Sequence, residues 1–418
     1  MIMLGPKIRE IREQLGLSQK QLAGEDMTRS YISLIEKGRA VPSQRMLKII
    51  ARRLNTPMEY FLGESTATDT DIGEAVLDKA KLYYKERNDR ACIRMAHNVL
   101  TLTKDVLDQT EAYLLIMRSY NRLGEYRQAL DNGEAAAFIV TRTGDRERIV
   151  QYYLEMGRAA FHSELFHAAR KFYEQAYTYS SRLKYLQDEH IRALIYLGTT
   201  HLRLGNVDQG LEFYLKAEKE ARMAGQPELY GEITLGLGKA YYMSEQDDHM
   251  QLSYDWTKKS VDSYKLARSE SYVLALHNLA VIQLHMGQKK EALPLLGECA
   301  GIYDERNLPH KKASILEEIS KIYLEERELQ QAETVIKEAL QLLELRDEGV
   351  LRAKLYRLLG LVFHEKDNSD EGYYFIRMSH DLLKRIHAER EADISHQLLQ
   401  LSKQKQKMEY DDYKSYIR

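Results

Sequence analysis

Apolar side chains in the first sixty residues recur at three- and four-residue intervals, in short runs separated by turn signals. Ile8, Ile11 and Leu15 share one face of a helix that begins near Leu4 and stops at Gly16. Ser18 then serves as an N-cap, with Gln21 three residues later completing a capping box, and Leu22 and Ala23 form the buried side of a short second helix. Residues 24–27 make a turn. A third helix starts at the N-cap Thr28, buries Ile32 and Ile35 and ends at Lys37 and Gly38, which leaves Arg29, Ser30, Ser33 and Lys37 on its outer side. Ser43 caps a fourth helix that buries Leu47, Ile50, Ala51 and Leu54, and "MEYFLG" (58–63) is expected to add a last turn.

Beyond a polar stretch, "ESTATDTD" (64–71), the helical period continues to the end of the chain and acquires a second, longer period. "RSYNRLGEYRQALDNGEAA", "LRLGNVDQGLEFYLKAEK" and "LHMGQKKEALPLLGECA" each read as a helix end, a turn and a second helix with a small residue inside it. Aligning on that residue gives Cys92, Ala129, Ala169, Gly210, Ser253, Ala292, Ala332 and Gly372, spaced 37 to 43 residues apart. Twelve residues earlier come Ala80, Met117, Gly157, Gly198, Gly238 (with three extra residues in its repeat), Ala280, Ser320 and Gly360. Seven residues later come Val99, Ala136, Ala176, Ala217, Ser260, Cys299, Ala339 and Ser379. Small residues at three fixed places let the two helices of a pair, and successive pairs, approach closely. About eight pairs are expected over 72–387, and "EREADISHQLLQLSKQKQK" (389–407) is expected to cover the last one.

Composition narrows the picture little. With 418 residues, 44% apolar and 30% charged, the chain can bury a large core. No run of about 18 apolar residues and no signal-peptide pattern occurs, so the expected setting is cytoplasmic with no membrane partner. Cys92 and Cys299 are far apart in helical segments, which argues against a disulfide framework or a zinc site and for two buried small residues. Charge is more informative. Residues 1–63 hold eleven Lys and Arg against six acids, a net of +5, whereas the other 50 bases and 57 acids leave the remainder at −7. A basic head on an acidic body points to a polyanion met by the head alone.

The segment "KIREIREQLGLSQKQLA…SYISLIEKGRAVPS…LKIIARRL" resembles the lambda-repressor-like (Xre-type) helix-turn-helix DNA-binding domains over about residues 4–63. By that resemblance Arg29, Ser30 and Ser33, flanked by Thr28 and Lys37, face bases in the major groove, and Gln19, Arg39 and Arg45 position phosphates. Arg29 is the expected guanine reader, because its fork reaches two acceptors on one base edge. Gln19 to Ile32 is thirteen residues, one fewer than the commonest form of the motif. The repeats resemble tetratricopeptide repeats with a period near 40. In that family the residue after the first small position points into the concave face, which here means Lys81, Arg118, Arg158, Thr199, Lys239, Val281, Lys321 and Leu361.

The inward set includes five cations, and Arg122, His162, Arg203, Met243 and His285 follow four residues later. A groove for an extended, anionic chain end is expected at Arg118, Asn121, Arg158, Thr199, Arg203, Lys239, Tyr242, His277, Asn278 and Lys321, with asparagine able to hold a peptide amide. A solvated charged surface is the plainer alternative. The tyrosines, at helical spacing, are read as inter-helix packing, and His162 and His167 as packing or surface residues.

No nucleotide loop, metal set or nucleophile–base pattern stands out, so neither an enzyme nor a cofactor is expected. The chain as a whole resembles the RRNPP group of peptide-responsive quorum-sensing regulators of Gram-positive bacteria. The resemblance implies an all-α chain, a helix-turn-helix domain (1–63), a linker (64–71), a right-handed tetratricopeptide-like solenoid (72–387) and a capping helix with a tail (388–418). It further implies a homodimer on an inverted-repeat operator, controlled by a short signalling peptide. A DNA-tethered scaffold that binds a partner protein, for example a phosphorelay component, is the alternative.

Overall fold

The computed structural model describes residues 4–54, 56, 58, 61, 69–181, 187–222, 225–244, 246, 248–343, 349–404 and 410–416, and among them every element is helical. Four helices make the head: α1 (Leu4–Gln14), α2 (Gln19–Ala23), α3 (Arg29–Glu36) and α4 (Gln44–Arg53). Their starts follow the sequence signals. Ser18 accepts from the Gln21 N–H while the Gln21 side chain accepts from the Ser18 N–H, Thr28 caps α3 and Ser43 caps α4. Ile8, Ile11, Leu22, Ile32, Ile35, Leu47, Ile50 and Leu54 are all buried. Most of the expected linker and last turn lies outside the described residues, but Asp69, Thr70 and Asp71 already belong to α5, because the helix reaches three residues further back than composition suggested.

Helical pairs follow. They are α5 (Asp69–Lys85) with α6 (Asp89–Leu102), α7 (Val106–Leu123) with α8 (Tyr126–Arg142), α9 (Arg146–His162) with α10 (Phe166–Ser180), and α11 (Gln187–Arg203) with α12 (Val207–Ala221). Then come α13 (Pro227–Tyr242) with α14 (His249–Ala267), α15 (Tyr272–His285) with α16 (Lys289–Glu305), α17 (Pro309–Glu325) with α18 (Leu329–Leu343), and α19 (Gly349–Glu365) with α20 (Ser369–Arg385). Two compact units divide the chain, 1–220 and 221–418. In the first unit α7 touches α5 and α9, and α9 touches α11, so the first helices of successive pairs form a layer of their own.

All twenty-four repeat positions expected to be small and close-packed are buried. At Gly157 an added Cβ would stand 2.3 Å from Cε1 of Tyr173, and at Gly238 one would stand 2.1 Å from Oγ1 of Thr257, so the helices of these pairs meet with no room for a methyl group. Tyr173 against Gly157 and Tyr214 against Gly198 bear out the reading of tyrosines as packing residues. The turn within a pair has its own rule: five residues before the marker, Arg87, Gly124, Glu164, Gly205, Gly287, Arg327 and Asp367 all have φ between 58° and 78°. Only three of the seven are glycine.

In the first unit the head core and the first pair share one apolar cluster, from Ile8 and Leu54 through Val76, Leu77, Met95 and Val99. Lys79 Nζ donates to the Leu15 carbonyl at 3.4 Å, and burial lowers its pKa. The head is therefore seated on α5 and α6. In the second unit α21 (Glu389–Gln404) packs on α20 and buries Ala392 and Leu398. Part of the expected tail is folded: α22 (Tyr410–Tyr413) buries Tyr413 completely, and its hydroxyl donates to Glu365 at 2.9 Å. Cys92 and Cys299 are buried free thiols, and burial pushes Cys299 up to about 12.

Candidate nucleic-acid interface and peptide groove

Pairing sorts the cations of the head. Arg9 pairs with Glu13, Arg12 with Glu36, and Arg53 with Asp26. Among the described residues Arg29, Lys37, Arg39 and Arg45 have no carboxylate partner, and all four are exposed. They lie along α3, in the turn after it and at the start of α4, which is the side carrying exposed Ser30 and half-buried Ser33. Uncompensated guanidinium and ammonium groups beside short hydroxyls form a surface suited to phosphates and base edges.

Beneath that surface lies a polar network that the sequence did not reveal. Arg12 Nε donates to Glu36 Oε1 at 2.5 Å, Arg12 Nη2 to Glu36 Oε2 at 3.0 Å, and Arg12 Nη1 to the Leu17 carbonyl at 2.8 Å. Both charged side chains are buried, and Glu36 holds the Arg12 pKa above the ordinary arginine range. Gln19, expected to position a phosphate, donates its amide N–H to Glu36 Oε2 at 2.8 Å, which binds α2 to α3 and leaves only the rest of the amide for an outside partner. Thr28 Oγ1 accepts from the Tyr31 N–H, so its role in the structure is that of a cap.

The expected groove residues fall into two groups, one in each unit. In the first, a cleft of about 210 Å³ on α7, α9 and α11 is lined by Arg118, Gln151, Glu155, Arg158, Arg192 and Tyr196, with Leu154 and Glu189. Glu155 is its hub. Arg118 Nε and Arg158 Nη1 approach the Glu155 carboxylate at 3.8 and 3.9 Å, and Asn121 Nδ2 donates to its Oε2 at 2.8 Å and to its carbonyl at 3.0 Å. Burial opposes the charge of Arg158, but Glu155 and the Tyr196 hydroxyl, 3.4 Å away, raise its pKa.

Other expected ligand contacts are already occupied. Asn121 is 5% exposed, so its amide joins α7 to α9 rather than facing an open groove. The Thr199 hydroxyl bonds the Ile195 carbonyl and the Tyr214 hydroxyl. Arg203 is exposed over the Phe166 ring, Arg122 is held by Asp89 and stacks on Tyr84, and His162 stacks on Tyr126. Gln151, Glu155, Arg192 and Tyr196 were missed, although each lies three or seven residues before Arg158 or Thr199 and so shares its helix face.

In the second unit Lys239, Tyr242 and Asn278 surround a separate notch. His277 Nε2 lies 2.8 Å from Glu318 Oε2, Lys321 pairs with Glu317 at 2.7 Å, and Leu361 is fully buried instead of pointing into a groove. The inner cations are thus largely neutralised by carboxylates on the same or the next first helix. Among the described residues no cluster of three or more His, Cys, Asp or Glu could hold a metal, and no helix is long and apolar enough to cross a membrane.

Residues 8–61 match the helix-turn-helix family model. A curated relative, response regulator aspartate phosphatase E of Bacillus subtilis (strain 168), is 20% identical over 174 residues, 41% of this chain and 46% of the relative. The match thus spans about half the length of that relative. The apo form of the quorum sensor NprR from B. thuringiensis superposes with a TM-score of 0.60 at 15% identity, covering 90% of this chain and 99% of that one. Aspartyl phosphate phosphatase F from Bacillus subtilis superposes with a TM-score of 0.52 at 14% identity, covering 91% and 93%. The chain carries a helix-turn-helix head on a tetratricopeptide-like body, which is the fold of the RRNPP-type regulators.

Proposed function

We propose that the protein is a non-enzymatic, sequence-specific DNA-binding transcriptional regulator of the cytoplasm. It acts as a homodimer on an inverted-repeat operator, and its body binds a short peptide carrying a carboxylate that alters operator binding. The observation that carries the reading is the excess of unpaired cations on the head: Arg9, Arg12 and Arg53 have carboxylates, whereas among the described residues Arg29, Lys37, Arg39 and Arg45, along α3 to the start of α4, have none, nor do Lys20, Lys48 and Arg52. Such a surface gains from releasing counterions on a phosphate backbone. Arg118, Arg158 and Arg192 face Glu155 and Glu189 in the cleft, so the arginines are in excess and a peptide carboxylate has a place there.

The seat of the head supports coupling. With Leu15 and Lys79 in contact and the head core continuous with α5 and α6, a ligand that favours one arrangement of the pairs can favour one placement of the head. Selection of bound sequences from a random DNA pool by the full-length protein, followed by anisotropy titrations on the selected site and on scrambled DNA, tests the proposal. An inverted repeat bound at least about a thousandfold more tightly than scrambled DNA is expected. Equal affinity for both would refute it.

The name of the curated relative favours one alternative, a body that binds a response regulator instead of a peptide. Under that reading, pulldown with purified response regulators gives a stoichiometric complex that operator DNA does not disturb.

A further inference from the structure

The notch in the second unit differs in kind from the arginine cleft. It measures about 110 Å³ and is lined by Leu235, Lys239 and Tyr242 of α13, Thr257 of α14, and Asn278, Val281 and Ile282 of α15. Its walls are mainly aliphatic, and its mouth carries one cation. Lys239 is exposed and, among the described residues, has no carboxylate partner, whereas Lys289, Lys312 and Lys321 of the same unit are each paired with glutamate.

Polar groups around the notch are only partly used. Asn278 donates one N–H to the Leu274 carbonyl at 2.9 Å, which leaves its second N–H and its Oδ1 for an outside amide. Thr257 is fully buried, and among the described residues its hydroxyl has no hydrogen-bond partner. The Tyr242 hydroxyl lies 2.8 Å from His285 Nε2, a hydrogen bond that orients its ring at the notch. An aliphatic cavity of roughly 150 Å³ is large enough for benzene, and this smaller one suits a branched four-carbon side chain.

We propose that the notch binds the carboxy-terminal residue of a peptide ending in a branched aliphatic side chain such as leucine. The alkyl group enters between Leu235, Val281 and Ile282, the terminal carboxylate meets Lys239 Nζ, and the last peptide amide hydrogen-bonds Asn278. The proposal deepens the reading of the body as a peptide receptor and rests on it. A free branched-chain acid shares the alkyl group and the carboxylate but gives Asn278 no amide.

Saturation-transfer NMR on the full-length protein, with N-acetyl-leucine, N-acetyl-leucinamide and 4-methylpentanoate as probes, separates these cases. N-acetyl-leucine is expected to bind in the millimolar range, as suits a ligand of its size. The amide, the acid without a peptide bond, and N-acetyl-leucine on Lys239→Met should each bind about tenfold more weakly, the loss of one charge-assisted or buried hydrogen bond. Val281→Phe, which fills the notch without adding a charge beside Lys239, should abolish binding, and circular dichroism checks that both variants fold. Absent binding of N-acetyl-leucine, or binding indifferent to Lys239→Met, overturns the proposal. Equal affinity for 4-methylpentanoate overturns the peptide terminus in favour of a free acid. Should the selection experiment yield no operator while N-acetyl-leucine still binds through Lys239, the regulator reading fails and the notch assignment stands.

Discussion

Replacing Glu36 by alanine should unseat α3, the helix proposed to read DNA, without touching its exposed surface. The side chain lies at the C-terminal end of α3, is 6% exposed, and is the acceptor for both Arg12 and Gln19. Its removal leaves Arg12, 8% exposed, with only the Leu17 carbonyl and the weaker contact with Glu13 to compensate a buried guanidinium. Breaking one partner of such a pair costs about 3–5 kcal/mol, which corresponds to roughly two to four orders of magnitude in the opening equilibrium of the head. Hydrogen exchange read peptide by peptide is the suitable assay, because it isolates the opening of α1–α4 from that of the body. Protection over residues 29–36 should fall by that factor, while protection over α9 and α10 stays unchanged. The double variant Arg12→Met with Glu36→Met replaces both charges by apolar groups of similar length and should be less destabilised than Glu36→Ala alone. A single variant costing under about 1 kcal/mol, or a double variant worse than the single, would refute the account of the pair as a buried, mutually dependent unit.

Other outcomes follow from the same geometry. Arg29→Ala should cost about 1–3 kcal/mol at one base pair and flatten sequence preference, whereas Arg45→Ala should weaken specific and scrambled DNA alike in anisotropy titrations. Glu164→Gly and Arg327→Gly should each stabilise the fold by about 0.5–1 kcal/mol in thermal melts, since φ of 60° and 59° favours glycine over any residue with a Cβ. Gly157→Ala should destabilise by about 1–3 kcal/mol, because its methyl would overlap the Tyr173 ring. Burial lowers the pKa of His364, so the unfolded chain binds a proton below its ordinary value of 6.5 while the folded chain resists it. Stability from this group is complete above 6.5 and is lost as pH falls toward the lowered folded value. His364→Gln should reduce that loss when melts at pH 7.5 and 5.5 are compared.

What the sequence made legible was what repeats or caps. Ser18, Thr28 and Ser43 each carry a side chain that accepts a backbone N–H three residues on, a local interaction with a local signature. The small positions could be read because the same steric demand recurs about every forty residues, so eight weak signals add. The left-handed turn recurs with the same register but stayed hidden, because four of its seven occupants are Arg, Glu or Asp, which give no composition cue. The packing of the pair holds that φ whatever residue occupies it. The seat of the head on α5 and α6 was equally hidden, since a contact between Leu15 and Lys79 joins segments with no common period.

Charge was the least legible property of the site, and the reason is geometric. Counting inward cations gave a basic groove, but a carboxylate three or four residues along the same helix, or on the next first helix, cancels most of them. Lys321 meets Glu317 on its own helix, and Arg118 reaches across from α7 to Glu155 on α9. The second kind of partner depends on the stagger between pairs, which a one-dimensional count does not contain. Whether a cation is free is therefore a property of the neighbouring repeat as much as of its own. On the outer side of α3 in the head and at Lys239 beside its notch in the body, that cancellation fails where short polar groups or an aliphatic recess lie alongside, so a ligand has both a vacant charge and a second contact to meet.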